Sequence, residues 1–260
     1  MAKNGQRYVS SELAHFVGRG QSEEQQYQLF LKILNEGWIS HPPHNPNISG
    51  NLSVNTTFLI SSNEMYSPQI VCFCDIPIAD LAIHIAKYSS FGLSFSKDFI
   101  IRLGGCPVFY LPKQSNVRTQ KNLSQEEKMD LLEQNSLEAL YENIGKGQYF
   151  DHMTKEFHEL IRMFRKLIMQ NSQTLDALKE HRRLIELESF ISSHIFSYIK
   201  FYDHSYADDH DDNYYLEREW RVIGNVKFDL SDIETVFMPK SFSKRFRADC
   251  PTYGSQLTFV

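Results

Sequence analysis

The stretch Tyr214-Tyr-Leu-Glu-Arg-Glu-Trp-Arg-Val-Ile-Gly224 tells most about the fold and the chemistry of this chain. Its composition predicts a β-strand, in which side chains two positions apart lie on the same face. Glu217, Glu219 and Arg221 then share one face. Two neighbouring carboxylates repel each other, and Arg221 can relieve that repulsion only in part. Because ordinary strands rarely carry such a face, we interpret the two glutamates as candidate functional groups.

The segment before this strand, residues 203–213, is polar and acidic. Its carboxylates, together with His204 and His210, form a set that could coordinate a divalent ion. The ligands have no regular spacing, however, and a run this charged is typical of a solvated loop. We therefore interpret it as a loop and expect no metal site.

The middle of the chain has a different character. From about residue 124 to about residue 200 it has few glycines and a long periodicity of Leu, Ile, Met and Phe. Helices are predicted from Ser124, over 154–169 and over 174–200. We interpret this block as an α-helical insertion in a single α+β domain that spans residues 1–260.

The remainder of the chain predicts mainly strands. Ser22 and Gln25 form a capping box that begins a helix, and Gly37 is well placed to end it. Asp75 is a candidate cap for a helix that begins at Ile76. The expected fold class is therefore α+β, with a mixed, mostly antiparallel sheet and the helical insertion. Strands are predicted over residues 11–17, 70–74, 91–96, 107–111, 233–238 and 257–260.

Composition excludes several classes of protein. The formal net charge of -5 provides no general basic field that would attract nucleic acid or an anionic membrane. The apolar runs are shorter than a membrane-spanning helix requires, and the N-terminus lacks the apolar core of a signal peptide. Cys72 and Cys74 lie in an apolar run, so we expect both to be buried and neither to bind metal. These features predict a cytoplasmic protein.

Common catalytic motifs are missing from the sequence. It contains no phosphate-binding loop, no G-x-G-x-x-G, no G-x-S-x-G and no H-E-x-x-H. Five other segments are informative, namely residues 15–19, 71–77, 88–97, 107–110 and 217–221. They resemble the AbiGi family of abortive phage-resistance proteins, in the same order along the chain. The resemblance implies a role in bacterial abortive infection, and the members of that family are described as antitoxins. It also implies a partner, either a cognate toxin or another protein of the defence system.

A second resemblance implies a mechanism. A histidine on the first strand, an aromatic residue on a middle strand and a glutamate on a late strand are similar to the arrangement in ADP-ribosyltransferases. This implies NAD as the cofactor. His15 would form a hydrogen bond with the nicotinamide ribose, and the ring of Tyr88 or Phe91 would stack on nicotinamide. Glu219 would accept a hydrogen bond from the ribose 2′-hydroxyl and stabilise the positive charge of the transition state. Glu217 would orient or deprotonate the acceptor.

The residues that follow His15 complete the expected cofactor site. Phe16, Gly18 and Arg19 are predicted to bind NAD, because backbone N–H groups of a glycine turn and a guanidinium both suit a pyrophosphate. The sequence leaves open whether the modified target is nucleic acid or protein.

Each of these residues also has a purely structural interpretation. His15, Tyr88 and Phe91 fit a packed core, and the glutamates fit an exposed strand face with cross-strand ion pairs. Two other functions therefore stay open beside the transferase. One is a non-catalytic antitoxin that binds its partner through the 124–200 insertion. The other is a metal-dependent nuclease built from the acidic loop with Glu217 and Glu219.

Overall fold

The structure, a computed structural model, describes residues 10–41, 44–45, 47, 50–113, 150–171, 175–208, 210 and 212–260. Helices occur together with a mixed, mostly antiparallel sheet, which confirms the predicted α+β class. The strands are β1 (Glu12–Phe16), β2 (Trp38–Ile39), β3 (Leu52–Val54), β4 (Tyr66–Pro68), β5 (Ile70–Cys74), β6 (Gly92–Ser96), β7 (Cys106–Pro107), β8 (Phe109–Pro112), β9 (Ile199–Tyr202), β10 (Glu219–Ile223), β11 (Val226–Lys227), β12 (Ile233–Met238) and β13 (Gln256–Phe259). The helices are α1 (Glu23–Glu36), α2 (Ala82–Lys87), α3 (Lys97–Arg102), α4 (Phe150–Asn171), α5 (Leu175–His194) and α6 (Ser243–Asp249).

The chain folds into two compact units. The first contains Met1–Asn51, Pro68–Val108 and Tyr206–Val260, and the second contains Leu52–Ser67 and Phe109–Ser205. The organisation as one domain with an insertion of about 124–200 stays a prediction. Within that range, α4 and α5 agree with the two helices expected over 154–169 and 174–200. The helix expected from Ser124 lies outside the described residues.

The first unit is built on a seven-stranded sheet in the order β13-β12-β6-β1-β5-β10-β7. Only β12 and β13 pair in parallel. One face of the sheet is almost wholly apolar, with Leu13, Phe73, Leu93 and Val222 at 2 % exposure or less. This face packs in the same core as the buried side of α1, including Phe30. The apolar stripe of the helix and the alternation of the strands thus form one core.

Both ends of α1 follow the signals in its sequence. The Ser22 side chain accepts a hydrogen bond from the Gln25 backbone N–H, and the Gln25 side chain accepts one from the backbone N–H of Ser22. Gly37 adopts a left-handed conformation with φ of 64°, and its N–H donates to the Ile33 carbonyl. The capping box and the glycine C-cap are therefore confirmed.

The middle of the sheet is weakly joined between β1 and β5. Their antiparallel register contains a single pair, Ala14 with Cys74, whereas β1 pairs with β6 along five positions from Glu12 to Phe16. A backbone carbonyl on β5 beyond that single pair is therefore available to a side chain. The candidate site forms at this opening.

The second unit has a smaller core. Strands β8 and β9 pair in parallel, and Leu111, Ile199 and Phe201 pack with Met65 in a buried cluster. The Tyr66 hydroxyl lies 2.7 Å from Nε2 of His158 on α4, which ties that helix to β4. The helix expected over 174–200 ends at His194, because the chain continues into strand β9 at Ile199–Tyr202.

Three local expectations were wrong. Asp75 caps no helix, because its carboxylate accepts hydrogen bonds from the Ser10 backbone N–H and from Nζ of Lys97 at 3.0 and 2.8 Å. The strand expected over 107–111 is divided at Val108 into β7 and β8, which pair in different sheets. Cys74 is buried as expected, but Cys72 is exposed.

Candidate functional site

The stretch 214–224 is not one strand. Tyr215–Glu217 forms a 3-10 turn, and Arg218 follows with φ of 46° and ψ of 50°. A residue in this left-handed region cannot continue an extended strand, so β10 begins only at Glu219. The Arg218 carbonyl accepts a hydrogen bond from the Asp75 N–H at 3.3 Å. The expectation that Glu217 lies on the strand was therefore wrong.

The two glutamates nevertheless line one small cavity. It has a volume of about 140 Å³ and lies at the opening between β1 and β5. Glu217 is 8 % exposed and Glu219 is 4 % exposed, so both carboxylates are almost shielded from water. Glu217 reaches the cavity from the 3-10 turn, and Glu219 reaches it from β10. The cavity is also lined by His15, Phe16, Phe73, His84 and Tyr88.

His15, which lines this cavity, has a polar atom without a partner among the described residues. Its Nδ1 lies 2.8 Å from the Cys72 carbonyl, which can only accept, so Nδ1 carries the proton. Burial lowers the pKa of His15 from 6.5 to about 4, although the bond to Cys72 opposes that change. The ring is therefore neutral near pH 7, and Nε2 is a hydrogen-bond acceptor. Nε2 is buried and has no partner within the described part of the chain.

Each carboxylate is held by its own cation. Nε of Arg221 donates to Oε1 of Glu219 at 2.7 Å, as expected for side chains two apart on a strand. Glu217 accepts from Nζ of Lys87 at 2.8 Å and from the Tyr88 hydroxyl at 2.5 Å. These bonds reduce the repulsion between the two glutamates and fix where each negative charge lies.

Tyr88 links the cavity to the glycine turn after β1. The guanidinium of Arg19 lies 5.0 Å from the centre of its ring, within the range of a cation–π contact. Burial and the nearby Glu217 raise the pKa of the Tyr88 hydroxyl, so it stays protonated and donates. Gly18 has φ of 84°, and its carbonyl accepts from Nε2 of Gln26 at 3.3 Å. The turn is thus anchored to α1, and Arg19 contacts the site through the Tyr88 ring.

Phe91 is not part of this cavity. It is fully buried, and its ring lies 5.7 Å from that of Tyr27 and 5.0 Å from that of Phe242. Of the two aromatic residues expected to stack on nicotinamide, the structure places only Tyr88 at the site.

The sequence did not identify two further residues of the site, His84 and Lys87, both on α2. His84 lies between the rings of Phe16 and Tyr88, at 5.3 and 4.5 Å between centres. Burial lowers the pKa of His84 to about 4, so it too is neutral near pH 7. The only sequence signal was its position one helical turn before Tyr88.

A larger cavity of about 630 Å³ adjoins the small one, and His84 and Glu217 line both. Ligand sites usually have volumes of about 300–1,000 Å³, so the small cavity alone holds only part of a nucleotide. The residues around the small cavity offer an aromatic ring, a buried hydrogen-bond acceptor and two carboxylates.

Among the described residues, no group of three or more His, Cys, Asp or Glu side chains is arranged so that it could hold a metal ion. Asp209 and Asp211 of the acidic loop are not among them, so the metal-free interpretation of that loop stays a prediction. Over the same described ranges, every helix is too short or too polar to cross a membrane.

Comparison with known proteins gave one match. A protein-family model described as "Putative abortive phage resistance protein AbiGi, antitoxin" matches residues 49–250. Tyr88, Glu217 and Glu219 lie inside the matched range, and His15 precedes it. No curated protein and no solved structure matches the chain.

Proposed function

Because the chain belongs to the AbiGi family of abortive phage-resistance proteins, we propose that it acts in phage defence by cleaving NAD and transferring ADP-ribose. The reaction takes place in the small cavity, with His15, Tyr88, Glu217 and Glu219 as its working side chains.

One observation carries the proposal, namely the buried and unpartnered Nε2 of His15, a residue that lines the same small cavity as Glu217 and Glu219. A buried polar atom without a hydrogen bond costs about 1–3 kcal/mol. Such a cost is tolerated where a ligand supplies the missing bond. A ribose hydroxyl is a suitable donor, because Nε2 of the neutral ring can only accept.

Each side chain has a separate role in the reaction, which depends on its position. Nε2 of His15 accepts from a ribose hydroxyl, and Tyr88 contacts the nicotinamide with the part of its side chain that lines the cavity. NAD supplies a glycosidic bond whose cleavage builds positive charge on the ribose. Glu219 opposes that charge, and its effect is strong because the cavity excludes most water. Arg221 holds the Glu219 carboxylate in one orientation through the 2.7 Å bond.

Glu217 has a separate role toward the acceptor. It lines both cavities, so its carboxylate lies between the ribose and whatever occupies the larger space. Lys87 and Tyr88 hold it there. It can accept the proton that a nucleophile releases on attack.

The substitution Glu219→Gln tests the proposal, because it keeps the shape of the side chain and removes its charge. We expect the rate of NAD cleavage to fall by about 10²–10³, the usual effect of removing one transition-state contact. NAD should still raise the melting temperature of the variant, since His15 and Tyr88 are unchanged. The readouts are nicotinamide release and a thermal shift.

The matched control is Glu234→Gln, the same change at an exposed position of the same sheet. It should leave nicotinamide release unchanged. The proposal is wrong if Glu219→Gln releases nicotinamide at the wild-type rate, or if NAD produces no thermal shift in the wild-type protein.

A second function is favoured by the family description, which names an antitoxin. A non-catalytic antitoxin would bind a cognate toxin, and exposed apolar side chains on α4 suit such contact. Leu160 and Phe164 are 47 % and 49 % exposed. This function predicts that Glu219→Gln protects cells from phage as well as the wild type does, whereas the transferase predicts a loss of protection.

A further inference from the structure

The larger cavity is a groove with two walls. One wall is the exposed side of α2, with Ile83 and Ala86, and the other is the segment that carries Asp208 and Leu216. The groove meets the small cavity at Glu217. A group bound in the groove therefore lies near Glu217, where the two cavities meet.

The surface of the groove suits a side chain with an apolar stem. Ile83 and Leu216 are 49 % and 39 % exposed, so each presents an uncovered aliphatic surface. Ala82 and Ala86 leave room beside Ile83 because their side chains are short. Covering such surface is favourable, at roughly 25 cal/mol for each Å² removed from water.

The charged residues that line the groove favour one class of bound molecule over another. Asp80 and Asp208 line the groove and form no ion pair within the described part of the chain. Lys87 also lines it, but Glu217 offsets its charge at 2.8 Å. Arg218 is the remaining cationic residue of the lining. Carboxylates thus exceed cations there.

The sequence extends this negative character. Asp212 follows Asp208 closely along the chain, and the whole chain carries a net charge of -5. Nucleic-acid sites need basic residues to replace the counterions of the phosphates. A phosphate backbone would meet repulsion at this groove, and a basic partner would be attracted.

We propose that the larger cavity is the acceptor subsite of the transferase, and that the acceptor is a side chain of a basic protein. This inference rests on the proposed function, since it requires that the small cavity cleaves NAD. It assigns the groove to the second substrate and places protein, not nucleic acid, in it.

The transfer step balances without a further reagent. The bond between the ribose C1′ and nicotinamide breaks, and nicotinamide leaves as a neutral base with the bonding electron pair. The nucleophilic atom of the acceptor side chain donates an electron pair to C1′ and forms the new bond. The proton that this atom loses passes to the Glu217 carboxylate.

The test follows both substrates with NAD labelled in its adenylate part. Protamine, an arginine-rich protein, is offered as the acceptor in parallel with single-stranded DNA, duplex DNA and transfer RNA. Nicotinamide release without any acceptor is measured separately. We expect label on protamine and none on the nucleic acids.

Two variants examine the groove itself. Ile83→Trp fills the space, and Asp208→Lys reverses the charge of one wall. Each should lower transfer to protamine by about tenfold or more while nicotinamide release without acceptor stays at the wild-type rate. Ile101→Trp and Glu234→Lys are the matched controls, because both positions are exposed and neither lines a described cavity.

The outcomes separate this inference from the proposed function. Label on nucleic acid but not on protamine overturns the inference and leaves the proposed function standing. Hydrolysis of NAD with no labelled acceptor also overturns the inference, and of the proposed function it leaves only the cleavage of NAD standing. Undiminished transfer to protamine in both groove variants also overturns it. If no nicotinamide is released and NAD gives no thermal shift, the proposed function itself fails and the inference fails with it.

Discussion

The protonation of His15 is decided by one backbone atom. The Cys72 carbonyl holds the proton on Nδ1, and burial keeps the ring neutral. Nε2 is left as an acceptor, which suits a hydroxyl and not a phosphate or a carboxylate. The sequence placed His15 on a strand, but it contained nothing about the carbonyl that selects the tautomer.

The backbone conformation of Arg218 decides the local structure between the two glutamates. Its left-handed backbone separates Glu217 from β10, and both carboxylates still line one cavity. Alternation of polar and apolar residues predicted the strand correctly from Glu219 onward. It could not predict the turn, because non-glycine residues rarely adopt positive φ and no local signal marks this position.

Two glycines after β1 allow a prediction at the same scale. Gly18 and Gly20 have φ of 84° and 76°, so a side chain at either position is strained. An added Cβ at Gly18 would also lie 2.8 Å from Cγ of Gln26, whereas at Gly20 it would meet nothing within 4 Å. We expect Gly20→Ala to lower the free energy of unfolding by about 1–2 kcal/mol. Gly18→Ala should cost more, in urea unfolding at neutral pH.

Gly254→Ala serves as the control for this comparison, because Gly254 lacks a positive φ and has open space where a Cβ would be added. It should change the free energy of unfolding by only a few tenths of a kcal/mol. Equal losses at Gly18 and Gly20 would show that contact with Gln26 contributes nothing.

Among the elements, α1 was the most predictable. Its capping box, apolar stripe and C-terminal glycine are local signals, and all of them appear in the structure. Its buried face includes Tyr27, Phe30 and Ile33, in agreement with the helical spacing of its apolar residues.

The cap of α1 gives a prediction for this element. Ser22→Ala removes the side-chain acceptor for the Gln25 N–H, so that N–H loses its cap. We expect the free energy of unfolding to fall by about 1 kcal/mol. The measurement is chemical denaturation followed by circular dichroism.

Asparagine at position 22 should restore most of the loss, since its side-chain oxygen can also accept from the helix N-terminus. If Ser22→Ala and Ser22→Asn unfold at the same denaturant concentration, the cap contributes no stability.

Elements with long-range partners were predicted less well. Residues 107–111 have the pattern of one strand, yet Pro107 pairs with Trp220 while Phe109 pairs with Ile199. The helix expected over 174–200 ends before β9, the strand that pairs with β8. Partners this distant in sequence override local propensity, because pairing and burial are worth more than the propensity of single residues.

At the scale of the whole molecule, buried histidines make stability depend on pH. The pKa values of His15 and His84 are lowered from 6.5 to about 4 in the folded chain. The unfolded chain therefore binds more protons between these values, and the free energy of unfolding rises with pH. That stability is complete above about pH 6.5 and is lost as the pH falls toward 4. The loss for His15 alone is on the order of 3 kcal/mol.

Unfolding by urea at intervals between pH 4 and pH 7 measures this dependence. His15→Asn should flatten the slope, whatever it does to the absolute stability, because one titrating group is removed. His152→Asn is the control, at an exposed position of α4. A slope in His15→Asn equal to that of the wild type would contradict the prediction.

The sequence by itself determined the α+β class, the ends of α1 and most strands of the principal sheet. It also identified Glu217 and Glu219 as candidate functional groups. These properties depend on periodicity, caps and residue type, which act over a few neighbouring positions. Only the tertiary structure decided that β1 and β5 separate beside His15, that Phe91 belongs to the core, and that α2 supplies His84 and Lys87. Those facts depend on which distant segments meet, and the free energy of such meetings comes from packing and hydrogen bonds between residues far apart in the chain.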